Sequence, residues 1–289
     1  MKYAYFPGCA LAGAAMEYGR STRVAAEALG MELEEIPDWN CCGASSAHAT
    51  SHLLSVSLPA RSLGLAERLG LDVVAPCASC YHNLATARQA MAADPVLARQ
   101  VNDITEVPYN GKIGVRSLLQ VVVEDVGLDS IRRRVTRPLA GLKVASYYGC
   151  LLVRPPELTG FDDPEDPQTL DHLVLALGGE PVPWPGKVQC CGAGHTLPRT
   201  DLVVRLTHDL VGAVREAGAE AIVTACPMCQ NNLDQRQSAA ESRYGDRLGL
   251  PVYYFTQLLA LALGRGPQEL GLTTHFVDAL APLRQRQLA

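Results

Sequence analysis

The sequence lacks features that would place it in several common functional classes. Apart from Arg132-Arg133-Arg134 it has no block of basic residues, and 25 Lys and Arg against 30 Asp and Glu give a net charge of −5. We therefore expect no nucleic-acid-binding face. The Gly-x-Gly-x-x-Gly fingerprint of dinucleotide-binding turns is also missing from the sequence. The chain itself is therefore not expected to carry a flavin or a nicotinamide.

No segment of the sequence is typical of export or of a membrane. Residues 1–7 lack the apolar core and the cleavage site of a signal peptide. The longest apolar run, at about 252–263, contains Thr256 and Gln257 and is too short to cross a bilayer. We therefore expect a cytoplasmic protein without a membrane span, in a compartment that keeps cysteines as free thiols.

What the sequence has is cysteine in a repeated arrangement. Its ten cysteines form two sets of five, and each set reads as one Cys, then Cys-Cys-Gly, then Cys-x-x-Cys. The first set is Cys9, Cys41, Cys42, Cys77 and Cys80, and the second set is Cys150, Cys190, Cys191, Cys226 and Cys229. The step from the Cys-Cys pair to Cys-x-x-Cys is 35 positions in both sets. This agreement indicates an internal duplication.

The duplication predicts two domains. The first spans residues 1–140 and includes a connector from about residue 100, and the second spans residues 141–289. The second set has an 8-residue excess between its first cysteine and its Cys-Cys pair, compared with the first set. These extra residues fall in a Pro- and Asp-rich stretch, 155–167, which predicts a surface loop.

Each half alternates between strand and helix patterns. Short apolar runs such as 72–75 and 221–224 are typical of buried parallel strands. Residues 52–69 have a helical pattern that Pro59 is expected to break or kink, and 114–126 in the connector also read as helix. We predict an α/β fold of two pseudo-symmetric, Rossmann-like halves, each a mostly parallel sheet flanked by helices. All five cysteines of a half would then lie at the carboxyl ends of its strands.

Thiolates are soft ligands that suit either zinc or an iron–sulfur cluster. A structural zinc site uses four ligands, whereas each half offers five cysteines. Adjacent cysteines such as Cys41-Cys42 also fit one tetrahedral ion poorly and reach two different metal atoms more easily. The pattern therefore favours a multinuclear cluster, while zinc, disulfides and free thiols stay open at this point.

The pattern Cys-x(31 to 39)-Cys-Cys-Gly-x(33)-Cys-x-x-Cys resembles the cysteine-rich CCG domain. Two copies in one chain resemble the B component of heterodisulfide reductase, with further likeness at Tyr147-Tyr148-Gly149-Cys150 and Cys226-Pro227-Met228-Cys229-Gln230. The resemblance implies two noncubane [4Fe–4S] clusters, with all ten cysteines as cofactor-binding and metal-binding residues. It also implies disulfide and thiol redox chemistry, with electrons passing through an iron–sulfur subunit (the C component) and a flavin subunit (the A component).

The resemblance leaves the substrate and the direction of the reaction open. A disulfide could be reduced, or a thiol oxidised as in the sulfur-oxidising bacterial branch of the family, which works with a lipoate-binding protein. An alternative is an electron-transfer or anchoring iron–sulfur module of a dehydrogenase complex that has no substrate site of its own. A zinc-stabilised scaffold is the third reading.

Three histidines follow the Cys-Cys-Gly motifs, namely His48, His52 and His195. A histidine near a cluster can donate a hydrogen bond to sulfur or pass a proton to a thiolate. A histidine at the start of a helix, bonded to the backbone, is the plainer reading of each. His195 is our candidate for the catalytic proton relay.

Several other residues stand close to the motifs. Asn83 and Asn232 recur three residues after each Cys-x-x-Cys, where we expect helix-start hydrogen bonds. Trp39 and Trp184 are expected to shield the clusters from water. Arg199 could hold an anionic group of a substrate, although a surface ion pair is the simpler expectation.

Overall fold

The computed structural model describes residues 1–288, and its strands form two four-stranded sheets in which every pairing is parallel. The first sheet contains β1 (Lys2–Tyr5), β2 (Glu32–Glu35), β3 (Val73–Ala75) and β4 (Val115–Ser117). The second contains β5 (Lys143–Tyr147), β6 (Glu180–Pro181), β7 (Ala221–Thr224) and β8 (Val252–Tyr254). Their strand orders, β2-β1-β3-β4 and β6-β5-β7-β8, are the same.

Helices flank both sheets. The helices of the first half are α1 (Gly8–Ala12), α2 (Met16–Leu29), α3 (Ser46–Thr50), α4 (His52–Leu69), α5 (Ala78–Ala93), α6 (Pro95–Thr105), α7 (Leu118–Val121) and α8 (Leu128–Arg134). A π-helical turn, Val122–Gly127, joins the last two. The helices of the second half are α9 (Pro156–Thr159), α10 (Thr169–Ala176), α11 (Thr200–Glu216), α12 (Pro227–Gln235), α13 (Gln237–Tyr244), α14 (Phe255–Ala262) and α15 (Ala281–Arg284). Residues Ala193–His195 and Leu272–Thr274 form short 3₁₀ turns.

The predicted α/β fold of two similar parallel halves is confirmed, with one strand more in each half than the pattern indicates. The extra strand of the first half, β4, lies in the stretch 114–126 that was predicted to be helical. Val115 pairs with Val73 of β3, and the helix begins only at Leu118. A three-residue strand inside an apolar run satisfies helical periodicity equally well, so the sequence pattern cannot separate the two.

Pro59 was expected to break or kink its helix, and the helix is not broken there. Helix α4 continues from His52 to Leu69 with Pro59 buried inside it. A proline inside a helix costs about 3 kcal/mol, because it removes one backbone hydrogen bond and its ring crowds the carbonyl four residues earlier. Helix α4 packs against both α5 and α6, and this burial stabilises the helix more than the lost bond weakens it.

The two halves share one hydrophobic core, which extends from β1 to the C-terminal helix. Strands β3 and β7 are buried along their whole length, as expected for the inner strands of sheets covered on both faces. Helix α2 of the first half packs on α14 of the second. Among residues 1–288, no helix combines the length and the apolar character needed to cross a bilayer.

The Pro- and Asp-rich insertion is more ordered than the predicted surface loop. It contains helix α9, and the Tyr81 hydroxyl of the first half donates to the Thr159 carbonyl at 3.1 Å. Phe161, two residues further along the same segment, is buried. The insertion therefore fastens one half of the molecule to the other.

A buried lysine holds the other end of the insertion. The Lys187 ammonium donates to Asp171 at 2.7 Å and to Asp166 at 3.0 Å. Its backbone carbonyl accepts from the amides of Tyr148 and Gly149, at 2.8 and 3.1 Å. Lys187 therefore links the insertion to the segment that leads into the first cysteine of the second set.

Replacing Lys187 with methionine is predicted to lower the free energy of unfolding by roughly 3–5 kcal/mol, because the Asp171 carboxylate is left buried without its cation. Denaturant unfolding measures the change. Arg132→Met, which removes an exposed pair with Asp129 at 2.7 Å, is the control and should change stability by less than about 1 kcal/mol. Equal losses in the two variants would contradict a structural role for the Lys187 charge.

Candidate functional site

The cysteines lie at the carboxyl ends of the strands, as the sequence predicts. Cys9 is in the short helix after β1, and Cys150 follows β5. Cys77 and Cys226 directly precede α5 and α12 as their N-cap residues, two residues after the ends of β3 and β7. The Cys-Cys-Gly motifs lie in the loops that follow β2 and β6. A helix N-terminus carries unpaired N–H groups and partial positive charge, which favours thiolates at these positions.

The first set is a connected group of thiols. The sulfur of Cys41 lies 3.5 Å from that of Cys9, and the sulfur of Cys42 lies 3.5 Å from that of Cys80. Cys77 interacts in turn with Cys80. Cys42, Cys77 and Cys80 are buried, whereas Cys9 is exposed. The group therefore runs from the surface into the core.

The second set repeats this arrangement. The sulfurs of Cys191 and Cys229 are 3.4 Å apart, and Cys229 contacts Cys226. Cys150 and Cys190 interact with each other near the surface, where Cys190 is exposed. All five predicted residues of each half are thus brought together.

The two sets meet between the halves. Cys77 and Cys226 are both buried and interact through their side chains. The contact with Cys226 is the main cause that raises the pKa of Cys77, while Cys229 and then Cys77 lower the pKa of Cys226. Side-chain interactions therefore link the thiols of the two sets, and we call the ten together the row of thiols.

Two other thiols have a lowered pKa, one in each half. At Cys42, hydrogen bonds from the thiols of Cys41 and Cys80 lower the pKa most, and the Asn83 amide adds to them. In the second half it is the thiol of Cys190, the first residue of the Cys-Cys pair, whose pKa is lowered. A lower pKa favours the thiolate, which is the form that binds metals.

The pKa of Cys190 is lowered by the neighbouring Cys150 thiol, by the backbone N–H of Gly192 and by the charge of His195. Gly192 donates to the sulfur at 3.3 Å. His195 is exposed, beside the outer edge of the second set. The predicted relay residue is thus near the thiols.

Two glycines allow the closest approach of sulfur to the backbone. A Cβ atom at Gly8 would lie 2.7 Å from the Cys80 sulfur, and one at Gly149 would lie 2.9 Å from the Cys229 sulfur. Both glycines have positive φ, +70° and +66°. Because any side chain here would meet a sulfur atom, glycine is required directly before the first cysteine of each set.

The donor set fits a soft group larger than a single ion. Among residues 1–288, no group of three or more His, Cys, Asp or Glu side chains is arranged around one point as a lone metal ion would need. The sulfurs stand in linked pairs instead. The hydroxyl of Tyr5 is buried without a hydrogen-bond partner, and its pKa is raised by burial and also by Cys80. A sulfur-rich cluster would offer this hydroxyl an acceptor.

Asn83 and Asn232 hold the Cys-Cys-Gly segments, which corrects their predicted role at the helix starts. The Asn83 amide donates to the carbonyl of Cys42 at 3.3 Å and to its sulfur at 3.5 Å. The Asn232 amide donates to the carbonyl of Cys191 at 3.1 Å, while its oxygen accepts from Thr196 at 3.1 Å. The sequence indicated these two asparagines by their recurrence at matched positions in the two halves. It could not indicate their hydrogen-bond partners, which are distant in the chain.

The remaining predicted residues are two tryptophans and an arginine. Trp39 is only half-buried, whereas Trp184 is buried, with its ring 6.1 Å from that of Tyr147 next to the second set. Arg199 pairs with Asp201 at 3.0 Å on the surface. The simpler expectation for Arg199, a surface ion pair, is therefore confirmed.

Two cavities flank the row of thiols, and residues of both halves line each one. The histidine cavity has a volume of about 270 Å³. It is lined by His48 and His82 of the first half and by all five cysteines of the second set. The apolar cavity has a volume of about 720 Å³. Its lining includes Cys9 and Ala10 of the first half and Leu197, Pro198, Met228 and Asn231 of the second half.

The cavities are counterparts in the duplicated fold, but their side chains differ. By the duplication, Leu197 corresponds to His48, and Asn231 corresponds to His82. The two imidazoles thus lie in one cavity, and a leucine and an amide take their places in the other. Burial lowers the pKa of His82. Sequence reasoning missed His82, although it is the one histidine beside a Cys-x-x-Cys motif; His195 is outside the linings of both cavities.

Replacing Gly149 with alanine is predicted to destabilise the fold and to reduce retained metal. The positive φ alone should cost about 1–2 kcal/mol, and the contact with the Cys229 sulfur adds to it. Gly70→Ala is the matched control, because Gly70 has φ +67° and open space around it. Thermal unfolding and metal content measure the two effects. Metal loss that is equal in both variants would contradict a specific role for Gly149.

Asn232→Ala is predicted to lower the free energy of unfolding by about 1–3 kcal/mol, since the buried Cys191 carbonyl loses its donor. It should also loosen the second Cys-Cys-Gly segment, which alkylation of Cys191 under native conditions would detect. Asn231→Ala, one residue away on the rim of the apolar cavity, is the control. Unchanged alkylation of Cys191 in Asn232→Ala would show that the amide does not hold this segment.

Comparison with known proteins agrees with the repeated site. The family described as "CCG: Cysteine-rich domain" matches residues 3–85 and 144–234. The chain is 35% identical over 281 residues to the 8-methylmenaquinol:fumarate reductase membrane anchor subunit of Wolinella succinogenes, covering 96% of this chain and 98% of that protein. It is 31% identical over 284 residues to the B component of the ferredoxin/F(420)H(2)-dependent CoB-CoM heterodisulfide reductase of Methanosarcina acetivorans, covering 96% and 94%.

A solved structure shares the fold. The crystal structure of a hypothetical protein from Helicobacter pylori superposes with a TM-score of 0.77 at 16% identity, over 96% of this chain. This chain spans about half the length of that one, 52%. At this identity the similarity concerns the fold alone. The match of the family to both halves, together with the two relatives, shows that the chain belongs to the CCG cysteine-rich domain family, as a duplicated member related to the B component of heterodisulfide reductase.

Proposed function

We propose that this chain is the iron–sulfur subunit of a heterodisulfide reductase-like complex and that it catalyses redox chemistry between disulfides and thiols. The observation that carries the proposal is the row of ten thiols, in which two sets of five meet at Cys77 and Cys226 and border two cavities. Its relation to the B component of heterodisulfide reductase supports the same reaction class.

Each set of five cysteines would hold one [4Fe–4S] cluster, of the noncubane type in this proposal. Such clusters supply electrons and a soft site for sulfur. The chain contributes the ligands, with thiolates favoured by the lowered pKa of Cys42 and Cys190. It also keeps Cys77 and Cys226 buried where the two sets meet. The cytoplasm is the compartment we propose, since its reducing poise keeps these residues as thiols.

The reduction of a disulfide consumes two electrons and two protons, so that R–S–S–R′ gives R–SH and R′–SH. The sulfur–sulfur bond breaks, and each sulfur gains one electron and one proton. We propose His195 as a proton donor, because its side chain lies near the Cys190 thiol. His48 and His82 line the histidine cavity itself and are placed to serve a thiolate there.

The electrons come from partner subunits in this proposal. The sequence has no Gly-x-Gly-x-x-Gly turn for a flavin or a nicotinamide. An iron–sulfur subunit and a flavin subunit, the C and A components expected for a heterodisulfide reductase-like complex, would supply or accept them. The reverse reaction, the oxidation of thiols, needs the same residues with the electrons leaving by the same partners.

A second candidate is an electron-transfer or anchoring module of a dehydrogenase complex. The observation that favours it is the 35% identity to a subunit that serves as the membrane anchor of a fumarate reductase. A module of this kind needs no cavity beside its clusters, whereas two cavities border the thiols here. A direct assay for disulfide reduction separates the two candidates.

Anaerobically purified protein is predicted to contain about eight irons and eight sulfides per chain, the total for two four-iron clusters. With a low-potential chemical reductant, it should convert small disulfides to thiols in a stoichiometry of one disulfide to two electrons. Iron, sulfide and zinc analyses and a thiol assay measure these quantities. A variant with Cys226→Ser serves as the comparison, because it removes one buried ligand at the meeting point.

Two results would overturn parts of the proposal. Zinc retained without iron or sulfide, even after anaerobic cluster reconstitution, would leave only a zinc-stabilised scaffold. Full iron and sulfide without any thiol product would remove the disulfide chemistry and favour the electron-transfer module.

A further inference from the structure

One tyrosine lies where the two cysteine sets meet. Tyr18 belongs to the first turn of α2 and is fully buried. Its hydroxyl is 3.0 Å from the carbonyl oxygen of Pro76 and 3.2 Å from that of Ala225. These are the residues directly before Cys77 and Cys226. One phenol from the first half therefore bonds to the same point of both sets.

The Tyr18 ring is fixed as firmly as its hydroxyl. It stacks on Tyr254 with the centroids 4.0 Å apart and the planes 4° from parallel. Phe255 contacts it edge-on at 6.4 Å. One helical turn later, the hydroxyls of Ser21 and Thr256 lie 2.7 Å apart, both buried. The contact between α2 and α14 thus holds the phenol in place between the halves.

The duplication does not provide a second copy of this tyrosine. The helix of the second half that corresponds to α2 is α10, which begins only at Thr169 and lacks the first turn. The acidic insertion occupies that place. The molecule therefore has a single phenol between two equivalent carbonyls, and its one hydrogen is shared between them. Cys77 and Cys226 also raise the pKa of Tyr18, after burial, which places both thiols close to the ring.

From these contacts we propose that Tyr18 is a positioning residue that sets the separation between the two cysteine sets. It acts through the carbonyls of Pro76 and Ala225, which fix the backbone at Cys77 and Cys226. A shift of the backbone at one cysteine set would therefore also move the other set, because both carbonyls bond to the same hydroxyl. The inference goes beyond the proposed function and rests on it only where clusters are used as the probe.

The test is Tyr18→Phe, which keeps the stacked ring and removes one oxygen atom from a close-packed site. Tyr253→Phe is the matched control, because the Tyr253 hydroxyl is equally buried and donates to a backbone carbonyl, that of Ala279, away from the cysteines. Both variants should lose thermal stability to a similar extent.

Hydrogen exchange on the protein as purified gives the first readout. In Tyr18→Phe, the amides of 77–81 and those of 225, 226 and 228–230 should all exchange about tenfold faster, as expected for the loss of one buried hydrogen bond. In Tyr253→Phe they should not change. Acceleration at one segment alone, or equal acceleration in both variants, would overturn the inference.

Electron paramagnetic resonance of the iron-loaded protein gives the second readout. With both centres paramagnetic, the magnetic interaction between them should be lost or reduced in Tyr18→Phe and retained in Tyr253→Phe at equal iron content. An unchanged interaction in Tyr18→Phe would overturn the inference. If the wild-type protein holds no iron clusters, the proposed function fails, and the exchange experiment still decides the role of Tyr18.

Discussion

The structure depends on the meeting of two strand ends in the middle of the molecule. Strands β3 and β7 each end one residue before a carbonyl that faces Tyr18, and the next residues, Cys77 and Cys226, lie close enough for their side chains to interact. Buried thiols so close together change each other's protonation, and their remaining partners must come from a metal group or from the protein. The glycines before each set leave room for the sulfurs of Cys80 and Cys229, and the asparagines hold the Cys-Cys-Gly loops around this point.

Duplication explains the symmetry of the site, and later divergence explains its chemistry. The cysteines are the same in both halves, but their surroundings are not. One cavity has two imidazoles where the other has Leu197 and Asn231. The insertion, which is held by Lys187, exists only in the second half. Two equivalent cysteine sets therefore face two different environments, which suits a reaction whose two products differ.

Much of the fold and all the cysteine positions could be predicted from the sequence, because cysteine spacing and apolar strands are local patterns. The strand β4 and the unbroken helix at Pro59 could not, since tertiary packing decides both. The roles of Asn83 and Asn232 depend on loops about forty residues away, at Cys42 and Cys191. The only sequence signal for His82 was its place beside a Cys-x-x-Cys motif, and Tyr18 gave none, because its importance comes from what the fold brings beside it.

We propose above all that the two sets of five cysteines hold two separate iron–sulfur centres, on either side of the contact between Cys77 and Cys226. Crystallography of the anaerobically purified protein, with anomalous data collected at the iron edge, locates the metal of each set independently. Two iron-rich peaks are expected, one beside each set, with sulfur ligation by all five cysteines of each half. A single metal peak, or two peaks that scatter as zinc, would rule out two iron–sulfur centres.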